Sequence, residues 1–100
     1  MATNRWTRKQ DLAVLYAKLE YGGQFRTHPD IARLATAMER TEAAVVMRIA
    51  NFDSLDSSAP TSGLSNAARL TREIWDEYLH DPKRVFTEAR EDYQKLLNGV

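Results

Sequence analysis

Cysteine is missing from this 100-residue chain, which closes off a disulfide scaffold and thiolate metal sites and fits a reducing compartment. Histidine is nearly missing too. His28 and His80 stand far apart, so there is no paired-histidine metal site and no His-Glu-x-x-His helix. Glycine occurs only at Gly22, Gly23, Gly63 and Gly99, which leaves no Gly-rich loop to cradle a nucleotide phosphate. No apolar run approaches the ~18 residues that cross a bilayer. The N-terminus carries Arg5, Arg8, Lys9 and Asp11 where a signal peptide would have its apolar stretch. These gaps point to a non-enzymatic protein with no metal or cofactor, no membrane contact and a cytoplasmic location.

Charge of one sign is not in excess: 14 Lys/Arg balance 14 Asp/Glu. A neutral total argues against a strongly nucleic-acid-binding protein, but the distribution is uneven. Residues 1–50 hold eight Lys/Arg against five Asp/Glu, a balance of +3, and residues 51–100 hold six against nine, a balance of −3. With 43% hydrophobic residues, the chain has enough apolar surface for one small core and one domain.

What is present is helical punctuation. Thr7 and Gln10 have capping-box spacing, and Leu12, Leu15, Tyr16 and Leu19 then recur on one face. Gly22-Gly23 ends this first helix. Pro29 suits the first position of a second helix, with Ile31, Leu34, Ala35 and Met38 as its buried stripe. Thr41 caps a third helix in which Ala44, Val45, Ile49 and Phe52 face inward. Residues 53–63 read as a turn-rich connection, where Asp53 and Asp56 are turn formers or, less simply, cation ligands. A fourth helix spans roughly 65–80, with Ala67, Leu70, Ile74 and Tyr78 on one face and Trp75 beside them. Asp81-Pro82 restarts a fifth helix that carries Val85, Phe86, Ala89, Tyr93, Leu96 and Leu97 and stops at Gly99. The expectation is an all-α domain: a three-helix unit at 5–52, a loop at 53–63, and an αα-hairpin at 64–98 that buttresses it.

Trp6-Thr7, Ile31-Ala32 with Leu34-Ala35, and Arg40-Thr41 followed by Ala44-Val45 resemble the Myb/SANT pattern. In that family a tryptophan opens the first helix and a capped third helix lies in the major groove. The longer string is similar to a helical DNA-binding domain found ahead of bacterial HNH nuclease domains. It runs through Arg48, Asn51-Phe52, Leu55-Asp56 and Gly63-Leu64 to Ile74-Trp75. The nuclease's own histidine and asparagine motifs are missing, so the resemblance implies a binding module without the nuclease. It also implies double-stranded DNA as partner and restriction, phage or defence biology in a bacterial or phage-encoded, nucleoid-associated protein.

That resemblance assigns roles. Arg5, Arg8, Lys9, Arg26, Arg40 and Thr41 would meet phosphates, which positions a protein without specifying sequence. Glu42, Ala43, Val46, Met47, Ala50 and Asn51 would face the groove. Four of these six are apolar and cannot make a bidentate base contact, although apolar side chains can contact a thymine or modified-cytosine methyl. Two structural alternatives stand beside this reading. Val46 and Met47 can instead pack under the fourth and fifth helices, because a helix apolar all round is usually an interior one. Arg48 can pair with Glu39 or another acid. The rival function is a protein–protein, adaptor or inhibitor module in which the apolar face of the third helix docks on a partner or a second copy. Trp6 is expected to be a core residue joining the first and third helices, and His28 a helix-boundary residue.

Overall fold

The computed structural model describes residues 5–57 and 68–99, and these form five α-helices and one 3-10 turn. Helix α1 (Arg8–Tyr21) begins at the expected capping box. The Thr7 hydroxyl accepts from the Gln10 amide at 3.2 Å, and the Gln10 side-chain oxygen accepts from the Thr7 amide at 3.3 Å. Two of the four amides that the first turn leaves open are thereby satisfied.

Sequence periodicity assigns α1 one apolar face, but the helix is buried nearly all round. Asp11 through Leu15, Ala17 and Lys18 are all buried. The cause is position: α3, α4 and above all α5 pack around it. Ala13 and Ala17 allow neighbouring helices to approach on the sides where Leu12 and Leu15 do not point.

Gly22, at φ +58°, does end α1, but the chain then continues into a 3-10 turn, Gly22–Thr27. That turn buries Phe25 completely, against the rings of Tyr21 and His28 at 5.8 and 5.4 Å. Helix α2 (Asp30–Ala37) starts one residue later than expected, with Pro29 as its cap residue. The Nδ1 of His28 accepts from the Asp30 amide at 3.0 Å, the boundary role expected of it. Ile31, Leu34, Ala35 and Met38 are buried, as the stripe required.

The turn into α3 (Glu42–Leu55) is tight. Glu39 adopts φ +56°, and the Arg40 amide returns to the Ala35 carbonyl at 2.9 Å. This is the bond pattern of a helix ending on a left-handed residue. Thr41 caps α3 by accepting from the Ala44 amide at 3.0 Å. The helix runs to Leu55, so Asp53 belongs to it and not to the connection.

Helix α4 (Arg69–His80) follows Ala68, and α5 (Pro82–Leu97) follows the Asp81-Pro82 restart. The expected α4 start near residue 65, the core position Ala67 and the loop glycine Gly63 lie outside the described residues. Helix α5 packs on α1, α2 and α4. Tyr93 brings its ring to 4.7 Å from Tyr16 and donates its hydroxyl to Asp30 at 2.8 Å. α5, the 3-10 turn and α3 each pack against both α1 and α2. Among the described residues, no helix is long and apolar enough to cross a membrane.

Candidate nucleic-acid interface

Helix α3 has two distinct faces. Val45, Ile49 and Phe52 are buried in the core. On the opposite side Glu42 and Ala43 are exposed, Met47 is 50% exposed, and Val46 and Ala50 are partly so. The alternative in which Val46 and Met47 pack beneath α4 and α5 is set aside for Met47, whereas Val46 is partly buried against the core. The positions 43, 46, 47 and 50 follow helical spacing, so they make one narrow stripe along α3.

Asn51 does not belong to that stripe. It is buried, donates its side-chain amide to the Met47 carbonyl at 2.9 Å, and accepts from the Ala68 amide at 2.8 Å. It fastens α3 to the start of α4 and is removed from the groove-facing set.

Charged groups anchor the inner face of α3. The Arg48 guanidinium donates to both carboxylate oxygens of fully buried Asp11, at 2.6 and 2.8 Å. The Thr71 hydroxyl of α4 donates to the same carboxylate at 3.2 Å. The acid that pairs with Arg48 is thus Asp11 on α1. At the far end of α3, Lys18 reaches Asp53 at 3.2 Å and Asp56 at 2.7 Å, with only 8% of its side chain exposed. The cation these two acids hold is a lysine of α1.

Trp6 is partly exposed rather than a core residue. Its ring packs against the core and carries two guanidinium groups, Arg40 at 4.0 Å and Arg48 at 4.6 Å from the centroid. It does link the start of α1 to α3, but as a cover over the Arg48–Asp11 pair.

The phosphate-contact candidates divide. Arg8 donates to Glu77 at 2.7 and 3.0 Å and to Glu88 at 3.1 and 3.2 Å, which ties α1 to α4 and α5. Those hydrogen bonds hold the Glu77 carboxyl below its ordinary value. Arg40 is partly buried: its Nε has no hydrogen-bond partner, and a terminal nitrogen donates to Gln10 at 3.1 Å. Burial, then the nearby Arg48 charge, lowers the Arg40 pKa, while Asp11 acts the other way. Arg8 and Arg40 are committed to the fold, and a phosphate contact by either would exchange an internal partner for DNA. Arg5 and Arg26 are exposed, Lys9 is half-buried, and exposed Thr41 uses its hydroxyl as the α3 cap.

A cleft of about 250 Å³ lies beside the outer stripe, between the 3-10 turn and α3. Gly22, Gly23 and Arg26 form one wall, and Val46, Ala50 and Asp53 the other, over Ile49. This feature and the Asp11–Arg48–Thr71 cluster escaped the reading of the sequence, since both depend on residues far apart in the chain. Among the described residues, no group of three His, Asp or Glu side chains is placed to hold a metal ion. Comparison with family models, with curated proteins and with solved structures finds no match for this chain.

Proposed function

We propose that this chain is a non-enzymatic module that binds double-stranded DNA with the outer face of α3 in the major groove. The observation that carries this reading is the apolar stripe of exposed Ala43 and Met47 with partly buried Val46 and Ala50, on the outer side of a capped helix. The stripe is one helix wide, which suits a groove better than the ~800 Å² per partner of a stable protein interface. Its chemistry favours methyl-bearing bases. Met47 and Ala43 offer apolar contact to a thymine or 5-methylcytosine methyl, and exposed Glu42 can accept from a cytosine amine. The Myb/SANT-like resemblance supports the same docking mode.

The test compares duplexes that differ only in methyl groups. Replacing 5-methylcytosine with cytosine, or thymine with uracil, should cost about 0.8 kcal/mol per buried methyl, roughly fourfold in Kd. Met47→Ala should erase that preference and leave salt-sensitive binding in place. A folded protein that binds no duplex at low salt would overturn the proposal.

A second reading rests on the internal engagement of Arg8, Arg40 and Arg48, which leaves few cations around the stripe. In it, the same face docks on a protein or a second copy of the chain. Met47→Asp would then abolish self-association or partner binding while leaving the fold intact.

A further inference from the structure

The cleft beside α3 has three properties that single it out. First, Gly23 is not required by the fold. Its φ is not positive, and a Cβ built there meets no atom within 4 Å. A methyl group there would meet no protein atom, yet the residue that borders the cleft has no side chain. Glycine at such a point lets a ligand come close to the backbone. Second, the charged groups of the rim differ in engagement. Asp53 shares Lys18 with Asp56, at 3.2 and 2.7 Å, whereas exposed Arg26 has no ion-pair or hydrogen-bond partner among the described residues. Arg26 is therefore the group on the rim left open to an anion. Third, Val46 and Ala50 belong both to the cleft and to the outer stripe of α3.

A helix lying in a major groove is flanked by the sugar-phosphate strands that wall the groove, so the element beside it meets a strand. Here that element is the 3-10 turn. The cleft's ~250 Å³ equals roughly eight waters at ~30 Å³ each, more than one methyl group occupies. We propose that this cleft seats one sugar-phosphate strand of the duplex, with Arg26 paired to a phosphodiester and the deoxyribose lodged against Gly23, Val46 and Ala50. This rests on the DNA-binding reading above. It adds a specific strand contact and an orientation: the 3-10 turn follows one groove wall.

The experiment measures duplex affinity as a function of salt for the wild type, Gly23→Leu and Arg26→Gln. An NMR titration of the wild type with a short duplex accompanies it. Arg26→Gln should weaken all sequences alike and reduce the log–log salt slope by about 0.9, the value of one lost phosphate contact. Gly23→Leu should obstruct the cleft mouth and weaken binding while the melting midpoint stays near that of the wild type, because its Cβ meets no protein atom. The amides of Gly22, Gly23 and Ala50 should shift in the titration. Wild-type binding that is unchanged in both variants, with those amides unmoved, overturns the strand seat and leaves the α3 reading standing. No duplex binding by the wild type overturns both. Loss of binding in Gly23→Leu with the salt slope of Arg26→Gln unchanged also overturns the proposal, since the occupant would then not be a phosphate.

Discussion

Removing the Asp11 carboxylate tests how α3 is attached. Asp11 is fully buried and accepts two hydrogen bonds from Arg48 and one from Thr71, while only 11% of the Arg48 side chain is exposed. Asp11→Ala leaves a guanidinium mostly out of water with no counter-charge. Breaking a buried pair from one side costs about 3–5 kcal/mol. In a domain of this size each kcal/mol moves the melting midpoint by about 4–8 °C, so the midpoint should fall by roughly 12–40 °C. Removing both charges is different. Asp11→Leu with Arg48→Met takes away the desolvation cost together with the attraction, and such replacements are often neutral or stabilising by about 1–4 kcal/mol. Thr71→Val should cost about 1 kcal/mol, because Asp11 keeps its two bonds to Arg48. Urea and thermal melts of Asp11→Leu, Arg48→Met and the double variant complete the cycle. An Asp11→Ala loss below about 1 kcal/mol would refute the reasoning, as would a double variant that loses the sum of the singles.

Four further outcomes follow from the geometry. Trp6→Ala should cost about 2–3 kcal/mol in a denaturant melt, below the ~3–5 kcal/mol of a fully buried tryptophan, because its ring is only partly buried. Glu39→Gly should raise the melting midpoint, because glycine relieves the ~1–2 kcal/mol cost of a left-handed residue at φ +56°. Thr7→Ala should destabilise by about 1 kcal/mol, and Asp81→Ala by less, since the Asp81 cap bond is 3.5 Å long against 3.2 Å at Thr7. Glu77 is held below its ordinary value of 4.5 in the folded state, so its contribution is complete above that pH and is lost as pH falls through the lower folded value. Stability measured from pH 5 downward, at about the ordinary glutamate pKa and below, should fall less steeply in Glu77→Gln than in the wild type; identical profiles would exclude the Arg8 pairing as the cause.

Local chemistry was legible in the sequence wherever a signal and its effect lie within a few residues. Thr7-Gln10, Thr41 and Asp81-Pro82 place three helix starts, and the spacing of Ile31, Leu34, Ala35 and Met38 gives the buried face of α2. What escaped depends on distant partners. Asp11 and Lys18 look like solvent-facing residues of an amphipathic α1 until Arg48, Thr71, Asp53 and Asp56 are brought to them. Asn51 carries a side chain suited to base reading, and only the position of Ala68 shows that it faces inward. Phe25 sits in a stretch with no helical period, so its burial follows from the 3-10 turn packing on Tyr21, His28 and Tyr93. The apolar character of the outer stripe of α3 is legible in the sequence, but periodicity alone does not choose between solvent and a covering helix.

Helix α3 is apolar on its outer stripe as well as on its core face, and the polar bonds on its inner side bear on how that stripe is oriented. Packing of Val45, Ile49 and Phe52 fixes the distance of α3 from the core, but apolar contact is non-directional and tolerates rotation of a helix about its axis. Directional bonds do not. Arg48 is held from α1 and α4 through Asp11 and Thr71, Asn51 holds the amide preceding α4, and Asp53 with Asp56 holds Lys18 at the other end. These attachments, spread from Arg48 to Asp56, set the rotation of α3 and with it the direction in which Ala43 and Met47 face. Polar groups that would serve a surface helix outside are thus spent on orientation inside. The residues left outside contribute little to the fold: Met47 is half in water, and Ala43 is exposed. On the proposed reading, in which the outer face of α3 docks in a DNA groove, this fixed rotation sets which methyl groups Ala43 and Met47 would meet.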